Sequence, residues 1–334
     1  MKTFRFTLVA LVATALFTAC TNEEAVSLIK GDAQEISFRL QGGTPEITTR
    51  AMATTLDNIE AFVVYGTDNV MTSPALILDG VTVARQFDGT FAYAPQAYYN
   101  QGAANASFFA FSPVSANLTS AVTIPSTFLT TGASFSYEVL PPDGTGDAVQ
   151  EDLLVTGTNV TTLTAPVNLT FKHALSRIFV TATNDAADPV IISDLKLLNL
   201  STTGALAVNL TPTLTWTPTT TKDDYAYILA PSGVVVSGGT AIKTLVTSME
   251  QGMMILPQTI TTTGTGDYTV GDFALEITYE FANFGSQTRY VYIPTGYAFL
   301  PGNQYNINIA FDGLQPIKFI VIAVDPFGTP VTVN

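Results

Sequence analysis

The side chains able to carry chemistry are few and scattered along this 334-residue chain. His173 is the only histidine and Cys20 the only cysteine, so neither a Cys–His dyad nor a Cys/His zinc site can be assembled. His173, in Phe171-Lys172-His173-Ala174-Leu175, is expected to be a hydrogen-bonded residue at a strand end. Asp143, Thr145, Asp147, Glu151 and Asp152 offer oxygens of the kind Ca²⁺ prefers. They lack the glycine and closing glutamate of an EF-hand, and a solvated acidic turn is expected instead. Asp223 and Asp224 are adjacent, so on a strand they point to opposite faces and cannot act as a carboxylate pair. Gly264-Thr265-Gly266-Asp267 is half a phosphate loop without its lysine, which a hairpin turn explains better. There is no G-x-S-x-G segment. Trp216, the only tryptophan, could stack on a sugar, but core filling is the expectation. No catalytic residue, cofactor or metal is expected.

Composition narrows the classes further. Lys and Arg number 13 against 27 Asp and Glu, a net charge of −14, which counts against a nucleic-acid partner. With 47% hydrophobic residues and 12% charged, the chain is not a disordered one. Its length predicts two domains with cores large enough to need no staple.

The N-terminus reads as an export signal. Lys2 and Arg5 precede the uncharged run Thr7–Ala19. At 1.5 Å per residue that run reaches only about 20 Å, short of a hydrocarbon core of about 30 Å, so it fits a signal peptide and not a membrane span. Leu16-Phe17-Thr18-Ala19-Cys20 resembles a bacterial lipobox, which makes residues 1–19 a lipoprotein signal peptide and Cys20 the lipidated residue. Asn22-Glu23-Glu24 is similar to acidic signals that send lipoproteins to the outer surface. The product is expected as an exported outer-membrane lipoprotein precursor.

The elements that would position these residues are strands. Phe273, Leu275, Ile277, Tyr279 and Phe281 alternate with Ala274, Glu276, Thr278 and Glu280. Tyr305, Ile307, Ile309 and Phe311 alternate with Asn306, Asn308 and Ala310. Each predicts an antiparallel strand, apolar towards a core and polar towards water. Further strands are predicted at 36–40, 59–65, 81–87, 108–111, 135–140, 167–171, 177–183, 191–200, 205–210, 253–256 and 289–293. Turn signals lie at Asp79-Gly80, Asp88-Gly89, Pro141-Pro142-Asp143-Gly144, Gly238-Gly239, Pro301-Gly302 and Asp312-Gly313. Many short strands predict all-β sandwiches. The domain boundary is placed near residue 166, after the Thr-rich stretch 156–164.

Several segments, in order, resemble the fimbrillin family of Bacteroides-type bacteria, the subunits of type V pili. They are Ile47-Thr48-Thr49-Arg50-Ala51, Asp57 to Tyr65, Tyr93-Ala94-Pro95-Gln96-Ala97-Tyr98-Tyr99, Phe108 to Pro113, Asp152-Leu153-Leu154-Val155, Leu169 to Ile178, and Leu300-Pro301-Gly302-Asn303-Gln304-Tyr305. The likeness covers nearly the whole exported chain. Tyr99 departs from the tryptophan common there, and Pro326-Phe327 follows Asp325 where tryptophan often stands. The resemblance implies two transthyretin-like antiparallel β-sandwich domains, residues 51–166 and 167–334, behind a propeptide at residues 20–50. It also implies a lipoprotein precursor whose first strand is removed by an arginine-specific surface protease. The vacated groove then takes a strand from another pilin subunit, building a head-to-tail polymer at the cell surface that serves adhesion.

The residues themselves fit that scheme. Of the early arginines, Arg39 and Arg85 fall inside predicted strands, whereas Arg50 stands between Gly42-Gly43-Thr44-Pro45 and Ala51-Met52-Ala53-Thr54-Thr55. Cutting between Arg50 and Ala51 would release the lipid together with the strand carrying Ile36, Phe38 and Leu40. Ile317, Phe319 and Val321 repeat that spacing, and Val331 and Val333 could extend it, so residues 317–333 are the expected donor. The I-x-F-x-V pattern is common, and the same segment could instead close its own domain. Two other readings compete. One is a permanently anchored surface lipoprotein that binds glycans of host or diet through Tyr98-Tyr99 and Trp216. The other is a tip adhesin that accepts a strand without donating one and binds a host or bacterial surface ligand.

Overall fold

The computed structural model describes residues 34–41, 59–70, 73–125, 132–142, 150–164, 166–211, 213–246, 252–262, 268–281, 284–293, 295–312 and 318–326. Among these residues there is no helix, and the fold is all-β. In chain order the strands are β1 (Phe38–Leu40), β2 (Ala61–Val70), β3 (Ser73–Arg85), β4 (Phe91–Ala92), β5 (Ala106–Ser112), β6 (Ala133–Glu138), β7 (Leu154–Val160) and β8 (Val167–Leu169). They continue with β9 (Lys172–His173), β10 (Ser176–Asn184), β11 (Val190–Ser201), β12 (Thr203–Val208), β13 (Leu214–Pro218), β14 (Lys222–Ala226), β15 (Val234–Val236) and β16 (Thr240–Leu245). The last are β17 (Met253–Ile255), β18 (Gln258–Thr259), β19 (Ala274–Phe281), β20 (Gly285–Tyr292), β21 (Ala298–Phe299), β22 (Asn303–Phe311) and β23 (Lys318–Pro326).

A six-stranded antiparallel sheet runs β4-β3-β2-β5-β7-β9. Its strand β5 is buried along its whole length, because the sheet is covered on both faces. On one face Phe62, Val64, Phe108 and Ala110 join a smaller core with Ile36, Phe38, Val167 and Leu169. On the other, Val63, Phe109, Phe111 and Val155 meet Phe135 and Tyr137 in a larger core. The latter two belong to the sheet β13-β12-β6, which draws β6 from before residue 166 and β12 and β13 from after it.

Two five-stranded sheets complete the larger core. One runs β16-β10-β22-β23 with β17 also on β10; the other runs β14-β11-β19-β20 with β15 also on β11. Ile178, Val180, Ile307 and Ile309 from the first pack with Ile192, Leu197, Leu275 and Ile277 from the second. Tyr279 and Phe311 meet edge to face at 5.0 Å within this core. Pairing is mostly antiparallel; β1–β8 and β10–β22 are parallel. Strand β23 pairs with β22 of its own chain and ends its sheet.

The alternating face of β19 is buried as the sequence predicts, from Phe273 to Phe281. Strand β22 differs: Asn306 and Asn308, expected in water, are buried. Parallel pairing sets Thr181 opposite Asn308, and its hydroxyl lies 3.2 and 3.1 Å from the side-chain oxygens of Asn306 and Asn308. Bonding along this ladder lets amides sit out of solvent. Asp79-Gly80 is not a hairpin turn either. It lies within the long strand β3, opposite a break in the β2 register, and Gly80 takes a φ of +65°. The Thr-rich stretch 156–164 supplies most of β7, so its first half is sheet and not linker.

Candidate functional site

The residues that the sequence singles out do not converge on a catalytic centre. His173 does end a strand, and its Nδ1 lies 2.8 Å from Asp152 Oδ2. Asp152 is therefore buried, not part of a solvated turn; residues 143–149 lie outside the described residues. Glu151 accepts a 2.6 Å hydrogen bond from Ser115. Asp224 accepts from the Asn199 amide, whose φ of +58° is left-handed, while Asp223 accepts from the amide of Asp224. Trp216 is half-buried and donates its ring N–H to the Ala174 carbonyl at 2.7 Å. Its ring borders a cleft of about 510 Å³ with Pro218, Lys222, Gln258 and Phe299. Tyr99 is buried with its ring edge against Phe108, which removes it as a surface for sugar. Gly264 to Asp267 lie outside the described residues. Among the described residues, no group of three or more His, Cys, Asp or Glu could hold a metal ion.

One predicted set does share a site. Ile36, Phe38 and Leu40 lie in a groove on the six-stranded sheet, with Ile36 and Phe38 buried and Leu40 half-buried. Alternation explains the fit, since Val167 and Leu169 of β8 alternate in the same phase and are also buried. In the parallel register Phe38 pairs with Val167 and Leu40 with Leu169, so both apolar stripes face one core. Arg39 and Asn168, paired on the opposite face, share a 3.0 Å hydrogen bond.

The strand is held along both edges. Towards β8, the Val167 amide donates to Ser37 O and the Gln41 amide to Leu169 O, at 2.8 and 3.0 Å. Along the other edge runs the loop 93–99. The Ile36 amide donates to Ala97 O and the Tyr99 amide to Gln34 O, both at 3.0 Å. The Ile36 carbonyl accepts from Tyr93 Oη at 2.8 Å and from Gln96 Nε2 at 2.6 Å. Asp68 anchors the end of this loop by accepting from the amide and the side chain of Asn100. Burial pushes the hydroxyls of Tyr93 and Tyr99 up to about 12, the charge of Glu35 adding to the first. Phe38 fits among three rings: Phe62 at 6.0 Å, Phe108 at 5.6 Å and Tyr93 at 5.8 Å. Beyond Leu40 the groove opens into a cleft of about 560 Å³ bordered by Arg85, Asp88, Phe91 and Pro166.

Cys20, Arg50, Ala51, Ile317, Val331 and Val333 lie outside the described residues; Phe319 and Val321 belong to β23. Tyr93 and Gln96 have no role that sequence reasoning could assign. Their one signal was their place in the segment Tyr93 to Tyr99.

Residues 49–324 match the fimbrillin-like family. The chain belongs to that family. This fimbrillin-like chain thus falls in a family of structural fimbrial proteins of the cell surface, and not in an enzyme family. Its fold is similar to that of a fimbrial protein from Bacteroides vulgatus, with a TM-score of 0.64 at 13% identity over 88% of this chain and 99% of that one. A candidate cell-adhesion protein from Parabacteroides distasonis gives a TM-score of 0.50 at 10% identity, covering 90% and 99% of the two chains. The C-terminally truncated tip fimbrial protein Mfa3 from Porphyromonas gingivalis gives 0.41 at 11% identity, covering 80% and 94%. No curated protein matches the sequence.

Proposed function

We propose that this chain is the precursor of a pilus subunit that polymerises by strand exchange and serves adhesion. Signal residues 1–19 leave, Cys20 is acylated, and the precursor reaches the outer membrane. An arginine-specific surface protease then cuts between Arg50 and Ala51, and the segment carrying Ile36, Phe38 and Leu40 departs with the lipid. The mature chain comprises two transthyretin-like sandwiches, the chain passing from one to the other near residue 166 while β6 pairs across that point with β12. Its open groove receives residues 317–333 of another subunit, with Ile317, Phe319, Val321, Val331 and Val333 as the inserted side chains.

The observation that supports this reading is the first strand itself. It is three residues long, precedes the segment that bears Arg50, and buries Ile36 and Phe38 against residues far along the chain. Its removal bares an apolar groove with main-chain donors and acceptors on both edges, a ready site for strand addition. Strand β23 pairs only through β22 in its sheet, so it can leave without dividing that sheet. Head-to-tail exchange is heterologous and does not close, so it yields a filament.

The test is truncation. A chain lacking residues 317–334 should still be cut at Arg50 and accept a strand, but should fail to polymerise alone. Normal polymers from the truncated chain would refute the donor assignment.

A further inference from the structure

Of the clefts, charged pairs and exposed aromatics of the molecule, the groove of β1 carries the most specific arrangement. Among the described residues, one edge of β1 is covered by a strand, β8. The Ile36 carbonyl points to the other edge, where the loop 93–99 bonds to residues 34–36 through its main chain and adds two side-chain donors. Tyr93 Oη and Gln96 Nε2 both reach this oxygen, and Gln96 Nε2 also lies 3.1 Å from Tyr93 Oη. The amide orientation of Gln96 is fixed by chemistry, since the carbonyls of Ile36 and Ala97 beside its nitrogen can only accept. Two donors on one carbonyl define one point along the strand. Two residues further on stands the box of Phe62, Tyr93 and Phe108 around Phe38.

We infer that Tyr93 and Gln96 form a carbonyl clamp that sets the register of any strand in this groove, and that the three-ring box selects an aromatic residue two positions beyond the clamped carbonyl. The inference rests on the strand-exchange reading and adds to it what the groove recognises. A strand displaced by one residue turns that carbonyl away and reverses its faces, so Tyr93 Oη and Gln96 Nε2 lose the acceptor that the strand supplies. A strand displaced by two residues satisfies the clamp but brings an aliphatic side chain to the box. Clamp and box together therefore exclude both kinds of slip. Within this chain, Ile317-Lys318-Phe319-Ile320-Val321 has the order that Ile36-Ser37-Phe38-Arg39-Leu40 has, with Ile317 at the clamp position and Phe319 at the box. The code thus fits a second copy of this chain as the donor, if the strand runs in the same direction as β1.

The experiment uses the exported chain nicked after Arg50 and fluorescent peptides with the sequence of residues 34–41. Nicked wild type should take up the native peptide. A peptide with Phe38→Leu, which has no aromatic to bring to the box in any register, should bind at least tenfold more weakly. Tyr93→Phe combined with Gln96→Leu in the chain should speed release of the native peptide at least tenfold. It should also shrink the penalty for a peptide whose Ile36–Ser37 amide is an ester, because the weakened carbonyl no longer faces the clamp. Tyr93→Phe alone, the milder change, serves as the folded control and should give a smaller change of the same sign. Equal uptake of the Phe38→Leu and native peptides, or an undiminished ester penalty, would overturn the clamp and box while leaving strand exchange standing. No uptake of any peptide by nicked wild type would overturn strand exchange, and the clamp's role towards an incoming strand with it.

Discussion

Replacing Phe38 with alanine in the uncut chain tests how the first strand is held. The ring is 5% exposed and touches Phe62, Phe108 and Tyr93. Removing a buried phenylalanine costs about 3–5 kcal/mol, part of it from the cavity left behind. Because β1 is three residues long and paired through β8, it can open locally before the sheets do, and the loss falls on that opening. A loss of about 3–4 kcal/mol corresponds to roughly a 10²–10³-fold rise in opening. Hydrogen–deuterium exchange followed by mass spectrometry reads it directly. Amides of residues 36–41 should exchange roughly 10²–10³-fold faster in the variant, while those of β10 and β22 keep their wild-type rates. Unchanged exchange at 36–41 would refute the reasoning that Phe38 anchors the strand. Equal acceleration in β10 and β22 would refute the claim that the strand opens on its own.

Asp152→Ala should lower stability by about 2 kcal/mol in a denaturant titration, because it strips His173 of its buried acceptor. Gly132→Ala should cost about 3 kcal/mol or more: a Cβ there would overlap the Val208 carbonyl, and the φ of +80° disfavours any side chain. Gly89→Ala, at a φ of +83° with open space around it, should cost only about 1 kcal/mol, so equal losses would show that the clash does not matter. The pH response follows from Tyr93 and Tyr99, whose folded values of about 12 stand above the ordinary tyrosine value of about 10. A raised value means that the folded state holds its protons longer, so this contribution is full below pH 10 and is lost as pH rises towards 12. Melting temperature should fall across that window, and Tyr93→Phe should lessen the fall; an unaltered profile would contradict the assignment.

Much of the architecture was readable because alternation is a direct physical signal. The apolar face of β19 buries as its spacing requires, and so do Ile36 and Phe38, with Leu40 half-buried beside them. Asn306 and Asn308 misled for a related reason: a polar alternate face looks the same in sequence whether water or a hydrogen-bonded ladder satisfies it. Asp79-Gly80 has turn chemistry, but a positive φ also suits a bulge, and only the strand opposite decides between them. The groove was legible on one side alone. The strand could be seen in the sequence, but its partner β8 lies 129 positions away in register. The donors from Tyr93 and Gln96 depend on the path of a loop, which no periodicity encodes.

The most direct test of strand exchange begins with limited digestion of the exported precursor by an arginine-specific protease, followed by mass spectrometry and a polymer assay on the same sample. The account predicts a single early cut between Arg50 and Ala51, loss of the fragment bearing Ile36, Phe38 and Leu40, and laddered or filamentous assemblies afterwards. A chain that resists cutting at Arg50, or one that is cut cleanly and stays monomeric, would contradict it.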